Sequence, residues 1–151
     1  MISKKTKYGL CALMYLANEY KKGPVLISDI AKSEKISQKF LESILLILKK
    51  HGILQSKKGK GGGYFLGKSP NHIFIGQVVR VLDGPLAPVS CVSQTAYHRC
   101  EECHDEKTCG IRMVMKDVRD AMANILDKKS LSDVLDMVKV AKHGGIFDYV
   151  I

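Results

Sequence analysis

Apolar residues recur at helical spacing in three segments of the first half of the chain. The first predicted helix runs from Lys4 to about Tyr20 and stops at Gly23-Pro24. A second, short helix is predicted from a Ser28 cap through Lys32, because a serine hydroxyl can accept a bond from an unpaired amide. A third is capped by Ser37 and ends at Gly52, with a buried stripe at Phe40, Leu41, Ile44, Leu45 and Leu48.

A glycine-rich segment follows the third helix, between two short β-prone runs. Ile53-Leu54 precedes the segment SKKGKGGG, and Tyr64-Phe65-Leu66 comes after it. This arrangement predicts a β-hairpin. Three helices followed by a basic hairpin form the element order of a winged helix-turn-helix, so we predict a mainly α fold with a small β-hairpin wing.

The second half of the chain predicts three more helices and one long loop. The fourth helix spans Ile75 to Leu82 and closes at Gly84-Pro85. Residues 84–109 show no sustained periodicity and predict a long loop or a small metal-bound lobe. A long amphipathic helix is predicted from about Gly110 to Leu126, and a last helix starts at Ser130. The long helix carries one continuous apolar stripe at Ile111, Val114, Met115, Val118, Met122, Ile125 and Leu126.

Charge separates the two halves. Residues 1–80 hold 15 basic and 4 acidic side chains, a net of +11, whereas residues 81–151 hold 9 basic and 11 acidic, a net of −2. A basic front half indicates an anion-binding module. The longest apolar run, Ile44 to Leu48, is too short to cross a bilayer, and the segment MISKKTKYG lacks a signal core. We therefore expect a cytoplasmic protein without a membrane partner.

The third helix and the hairpin carry the residue types that read DNA. The second helix of a helix-turn-helix enters the major groove with its N-terminal residues, which here are Ser37, Gln38, Lys39 and then Glu42. Glutamine, lysine and glutamate can each bond a base edge. The hairpin adds phosphate-contacting candidates at Lys57, Lys58, Lys60 and Gly62. Each feature alone is typical of a solvated surface, but together, in this order, they favour binding of double-stranded DNA.

Four of the five cysteines lie close together in the predicted loop. They follow the spacing C-x8-C-x2-C-x5-C and are Cys91, Cys100, Cys103 and Cys109. Thiolates favour iron–sulfur clusters and zinc, and clustered thiols can also form a disulfide. Only one CxxC pair is present, which disfavours a two-knuckle zinc site. The fifth, Cys11, has apolar helical neighbours and is predicted to be a small core residue.

Several motifs resemble the IscR-type (Rrf-two) family of bacterial transcription regulators. They are the first-helix motif KYGLCAL from Lys7, the segment ISQKFLESIL from Ile36, and the wing GGGYFL from Gly61. The resemblance implies a homodimeric winged-helix repressor or activator that contacts a two-fold operator through Ser37, Lys39, Glu42 and Lys58. Lys58 stands where the family usually has arginine, and lysine cannot make the planar two-pronged contact of a guanidinium.

The same resemblance implies a [2Fe–2S] or [4Fe–4S] cluster held by three loop cysteines and a non-cysteine ligand. Cys91 and Cys109 are its firmest candidates, with Cys103 ahead of Cys100. Arg112 stands where some members of the family place a ligating histidine. A cluster-free regulator that senses a small molecule or thiol oxidation remains an alternative, as does a zinc-binding protein-interaction module.

The chain thus predicts four segments. They are a winged helix-turn-helix DNA-binding domain at residues 1–83, a cysteine-rich sensing loop at 84–109, a dimerisation helix and C-terminal helix at 110–141, and a tail at 142–151. The sequence lacks HExxH, GxSxG, P-loop and Rossmann motifs, so we do not expect an enzyme.

Overall fold

Six α-helices and one two-stranded hairpin make up the computed structural model, which describes residues 1–144. Most of the predicted tail, residues 145–151, lies outside the described residues. Short 3₁₀ turns occur at Pro70–His72 and Ser90–Val92. The elements in chain order are α1 (Lys4–Asn18), α2 (Ile27–Glu34), α3 (Gln38–Lys50), β1 (Leu54–Lys57), β2 (Gly63–Leu66), α4 (Ile75–Asp83), α5 (Gly110–Leu126) and α6 (Leu131–Lys142).

The core lies among the first four helices and the hairpin. Its fully buried members come from every one of these elements and include Leu13, Ile30, Leu41, Ile44, Leu45, Leu48, Leu54 and Val78. The predicted stripe of α3 is therefore confirmed, except at Phe40. That side chain is 38% exposed, and its ring packs edge-on against Tyr8 of α1, with 5.7 Å between ring centroids. Phe40 thus covers the outside of the α1–α3 contact instead of filling the core.

The caps of α2 and α3 differ from one another. Ser37 caps α3 as predicted, its hydroxyl accepting from the Phe40 amide at 3.4 Å. The Ser28 cap is wrong, because α2 starts at Ile27 and Leu26 is its N-cap, without a side-chain cap bond. Lys35 is the C-cap of α2, and its left-handed φ of 54° turns the chain toward α3. This turn sets the two helices of the helix-turn-helix against each other.

The hairpin is antiparallel, with Leu54 paired to Leu66 and Lys57 to Gly63. A third extended segment joins it, which the sequence pattern did not indicate. Val25 and Tyr64 exchange both backbone hydrogen bonds at 2.8 Å. The linker between α1 and α2 therefore anchors the hairpin to the helical core.

Helix α5 leaves this core and α6 returns to it. None of the residues of α5 is buried; the helix contacts α4 and the Ser90–Val92 turn. Arg80 of α4 holds the last turn of α5 by donating two bonds to Asp127, at 2.5 and 2.9 Å. Helix α6 starts with a capping box between Ser130 and Asp133 and packs on α1. Among residues 1–144, no helix is both long and apolar enough to span a membrane.

Candidate nucleic-acid interface and cysteine cleft

The N-terminal turn of α3 presents polar side chains to solvent. Ser37, Gln38, Lys39 and Glu42 are all exposed, while the opposite face of the helix is buried at Leu41, Ile44 and Leu45. Ser37 uses its hydroxyl to cap the helix, so it fixes where α3 starts. The first turn of α3 therefore has the exposure that base recognition requires, on a helix whose other face is held by the core.

The wing carries three exposed lysines. Lys57 ends β1, and Lys58 and Lys60 lie in the turn that follows it. Burial, and secondarily the nearby Glu42 carboxylate, raises the pKa of Tyr64 on β2. Strand β1 of the wing packs against α3, the recognition helix, so the two are neighbours.

Gly62 differs from the other predicted contact residues because it is buried. A Cβ at this position would lie 2.1 Å from the Lys57 carbonyl oxygen and 2.8 Å from that of Gly59. Both are backbone atoms of the hairpin itself, so a side chain does not fit. Gly62 therefore allows the wing to fold tightly, and a direct phosphate contact by this residue stays a prediction.

The four loop cysteines line one open cleft of about 370 Å³ beside the start of α5. Cys91 is buried in the Ser90–Val92 turn, Cys103 and Cys109 are half-buried, and Cys100 is exposed. His104 and Arg112 also line the cleft. The long loop thus brings together the cysteines that the spacing singled out.

Two of these thiols have defined local contacts. Cys109 is the N-cap of α5, and its sulfur accepts from the Arg112 amide at 3.4 Å. A hydrogen bond with Cys91, followed by repulsion from the charge of that residue, raises the pKa of the Cys100 thiol. Cys91 and Cys100 therefore lie near each other in the cleft, although eight residues separate them in the chain.

Two arginines of α5 hold the loop in place. The Arg112 Nε donates to the Cys91 carbonyl at 3.3 Å, and the Arg119 Nη1 donates to the Val92 carbonyl at 2.6 Å. The loop is closed on itself by Ser90 and His98, which exchange bonds at 3.2 and 3.1 Å. Sequence reasoning noted Arg112 only at the position where some members of the family place a ligating histidine, and it missed Arg119. Neither contact can be recognised from the neighbouring sequence, because each arginine bonds a backbone carbonyl more than twenty positions away.

The donor set fits a thiophilic group in its chemistry. Four thiols and one imidazole face a single cleft, which is the ligand class that iron–sulfur clusters and zinc prefer. Within residues 1–144, however, no three His, Cys, Asp or Glu side chains stand at the separation that holds a metal ion. A bound cluster would thus require these thiols to converge from the positions described.

Comparison with known proteins agrees with this architecture. A family model for Rrf2, described as iron-dependent transcriptional regulators, matches residues 2–137. An rrf2-like HTH-type transcriptional regulator of Rhodobacter capsulatus is 41% identical over 138 residues, which cover 89% of this chain and 92% of that protein.

Two solved structures are similar in fold. CymR, the global cysteine regulator of B. subtilis, superposes with a TM-score of 0.76 at 31% identity, over 91% of this chain and 97% of that one. IscR of T. potens superposes with a TM-score of 0.75 at 28% identity, over 93% and 90%. The family match, the winged helix-turn-helix and its exposed basic surface lead to one conclusion: the chain belongs to the Rrf2 family and is a DNA-binding transcriptional regulator.

Proposed function

We propose that this protein is a homodimeric, sequence-specific regulator in the cytoplasm whose affinity for its operator depends on the state of the cysteine cleft. The observation that carries the DNA contact is the exposure of Gln38, Lys39 and Glu42 on α3, which packs against the wing that carries the exposed lysines. Residues 1–83 act as the reading domain, 84–109 as the sensing loop and 110–141 as the dimerisation segment.

Base contacts are assigned to α3 and Lys58, and phosphate contacts to Lys57 and Lys60. Gln38 can bond adenine, Lys39 and Lys58 can donate to guanine, and Glu42 can accept from cytosine. The experiment is duplex binding by fluorescence anisotropy across salt concentrations. Affinity is expected to fall steeply as salt rises, because lysines displace condensed counterions. A flat salt dependence would argue instead for a winged helix that binds a protein partner.

The dimer proposal rests on the exposed apolar face of α5. Ile111, Val114, Val118 and Ile125 share one face and are 69%, 58%, 39% and 58% exposed. A contiguous apolar strip of this kind typically marks an interface. A second copy fits this face because winged regulators read two-fold operators as dimers. Packing of this stripe on α1 and α4 of the same chain would bury these four residues, whereas they are exposed.

The cleft is coupled to the reading domain through α5. Arg112 and Arg119 tie the Cys91 turn to α5, and Asp127 at the end of α5 is bound to Arg80 of α4. Helix α4 packs on both α1 and α3. A change in the loop would thus reach the recognition helix through packed elements.

We infer that the cleft holds an iron–sulfur cluster, with Cys91, Cys103 and Cys109 as the first ligands and Cys100 as a further candidate. When bound, the cluster supplies a link between loop and helix that depends on iron and oxygen. The support is the IscR likeness and the thiol content of the cleft. The test is an absorption spectrum and iron assay after anaerobic reconstitution. Colourless, iron-free protein would overturn the cluster.

A second candidate for the cleft is a cluster-free thiol switch. The shared position of Cys91 and Cys100 in this cleft favours it, because two neighbouring thiols can be oxidised to a disulfide. Mass spectrometry of the mildly oxidised, iron-free protein should then show a Cys91–Cys100 link. A Cys100→Ser variant that keeps full redox control of DNA binding would exclude this pairing.

A further inference from the structure

A second cavity, of about 540 Å³, lies between the end of α1 and the base of the wing. It shares no lining residue with the cysteine cleft. This volume lies within the range of about 300–1,000 Å³ that is usual for small-molecule sites. Its apolar walls come from both elements and from the linker between α1 and α2, namely Leu16, Tyr20, Val25, Phe65 and Leu66.

The apolar walls are incompletely covered. Leu16 and Leu66 are buried, but Tyr20 and Phe65 are only half-buried, so two aromatic rings leave part of their surface in water. A flat apolar molecule in the cavity would remove that surface from solvent, which is favourable in proportion to the area covered. The walls therefore suit an aromatic or similarly flat apolar group.

The charges at the rim are mostly positive. Lys21 and Lys57 both line the cavity, and the Lys21 ammonium lies 5.7 Å from the centroid of the Tyr20 ring. The one acidic rim residue, Glu19, is paired with Lys22 at 3.7 Å. An anionic group at the mouth would meet two lysines and no unbalanced carboxylate of the rim. The rim therefore selects an anion.

We propose that this cavity is an effector site for a small aromatic carboxylate. The ring would lie against Tyr20 and Phe65, and the carboxylate would face Lys21 and Lys57. Ser56, Lys57 and Phe65 belong to the wing, so the ligand contacts the element that carries the basic DNA-contacting residues. The regulatory effect of the ligand rests on the DNA-binding function proposed above, whereas the binding of the ligand to the cavity does not.

The site is tested by titrating the ¹⁵N-labelled full chain with naphthaleneacetate and following its amide resonances. Saturable shifts are expected at residues 19–25, 56–57 and 65–66. Naphthalenemethylamine, which has the same ring with a positive charge, should bind at least about tenfold more weakly. Absence of saturable shifts, shifts confined to other surfaces, or equal binding of the cation would each overturn the proposal.

Two matched pairs of variants locate the ligand. Ser56→Phe fills the cavity and should weaken the binding of naphthaleneacetate at least about tenfold. Gln55→Phe, at a neighbouring position that does not line the cavity, should leave this binding unchanged.

Lys21→Asn should weaken the binding of naphthaleneacetate several-fold. Lys35→Asn is its control, because Lys21 and Lys35 both have left-handed φ, of 67° and 54°, and only Lys21 lines the cavity. If the two variants of either pair changed the binding of naphthaleneacetate equally, the proposed site would be overturned.

The regulatory step has its own measurement. Saturating naphthaleneacetate should change the dissociation constant for a bound duplex at least about threefold in the wild type and not in Ser56→Phe. Unchanged DNA affinity in the presence of demonstrated ligand binding would overturn the effector role. If the protein binds no duplex at all, the proposed function fails, while the titration above still decides the site.

Discussion

At the residue scale, we propose that the wing separates a side chain that reads bases from side chains that hold phosphates. All three lysines are exposed on one short turn, so their burial does not distinguish them. The resemblance to the family singles out Lys58, and its neighbours Lys57 and Lys60 supply charge. Replacing Lys58 and replacing Lys57 should therefore affect DNA binding in different ways.

Lys58→Ala should change which sequences are bound, because a lost base contact costs about 1–3 kcal/mol of discrimination. Lys57→Ala should weaken all duplexes alike and lower the salt slope by about one. Binding titrations on matched and single-substituted duplexes over a range of salt distinguish the two effects. A Lys57→Ala variant with altered sequence preference would show that the assignment is wrong.

Gly62 is the wing residue whose replacement should harm folding. A Cβ there would lie 2.1 Å from the Lys57 carbonyl oxygen, so Gly62→Ala should lower the free energy of unfolding by about 1–3 kcal/mol. Gly110→Ala is the control, because a Cβ on Gly110 meets nothing within 4 Å and the change should stay within about 1 kcal/mol. Urea denaturation measures both. Equal stability of the two variants would mean that the turn is not tightly packed at Gly62.

At the element scale, the long loop and α5 behave as one unit. Arg119 is the clearest link, since only 14% of its side chain is exposed and its guanidinium donates to the Val92 carbonyl at 2.6 Å. The loop has few buried groups apart from this region, where Cys91, Val92 and Ser93 are covered. Its order should therefore depend on the arginines.

Arg119→Ala should raise the amide exchange rates of Val92 and His98, because the turn loses its attachment to α5. Arg99→Ala is the comparison, since Arg99 bonds only the Cys103 carbonyl inside the loop. Hydrogen–deuterium exchange followed by mass spectrometry measures the change. Unchanged protection of residues 90–98 in Arg119→Ala would contradict this role of the arginine.

The elements that follow local rules were predictable from sequence, and those held by distant partners were not. The stripe of α3, the Ser37 cap and the hairpin follow from spacing and capping chemistry. The Ser28 cap was wrong because the N-cap is Leu26, two residues earlier, whose carbonyl accepts from the amides of Asp29 and Ile30. The Val25–Tyr64 bridge and the arginine contacts join residues far apart in the chain, so no local pattern encodes them. The grouping of the four cysteines in one cleft was predictable from their spacing.

At the scale of the whole molecule, the basic reading half and the weakly acidic half are joined by α5. Helix α4 packs against α1 and α3 on one side and α5 on the other. In the dimer that we propose, the exposed face of α5 would make assembly depend on a segment outside the reading domain. We therefore expect dimer formation and DNA affinity to change together.

Val114→Glu should give a monomer, because it places a charge in the middle of the exposed apolar face of α5, where Val114 is 58% exposed. Lys116→Glu, on the opposite side of the same helix, changes charge without touching that face and should stay dimeric. Sedimentation velocity at micromolar concentration measures both masses. A wild-type protein that sediments as a monomer would rule out the dimer.

Selection of duplexes from a random-sequence library by anaerobically purified protein tests the central claim most directly. If α3 and the wing of a dimer read DNA, the wild type should enrich one two-fold symmetric motif. Glu42→Ala should broaden the preference at one position of each half-site while the protein stays folded. Absence of an enriched motif, or an identical motif for the wild type and Glu42→Ala, would contradict base reading by this surface.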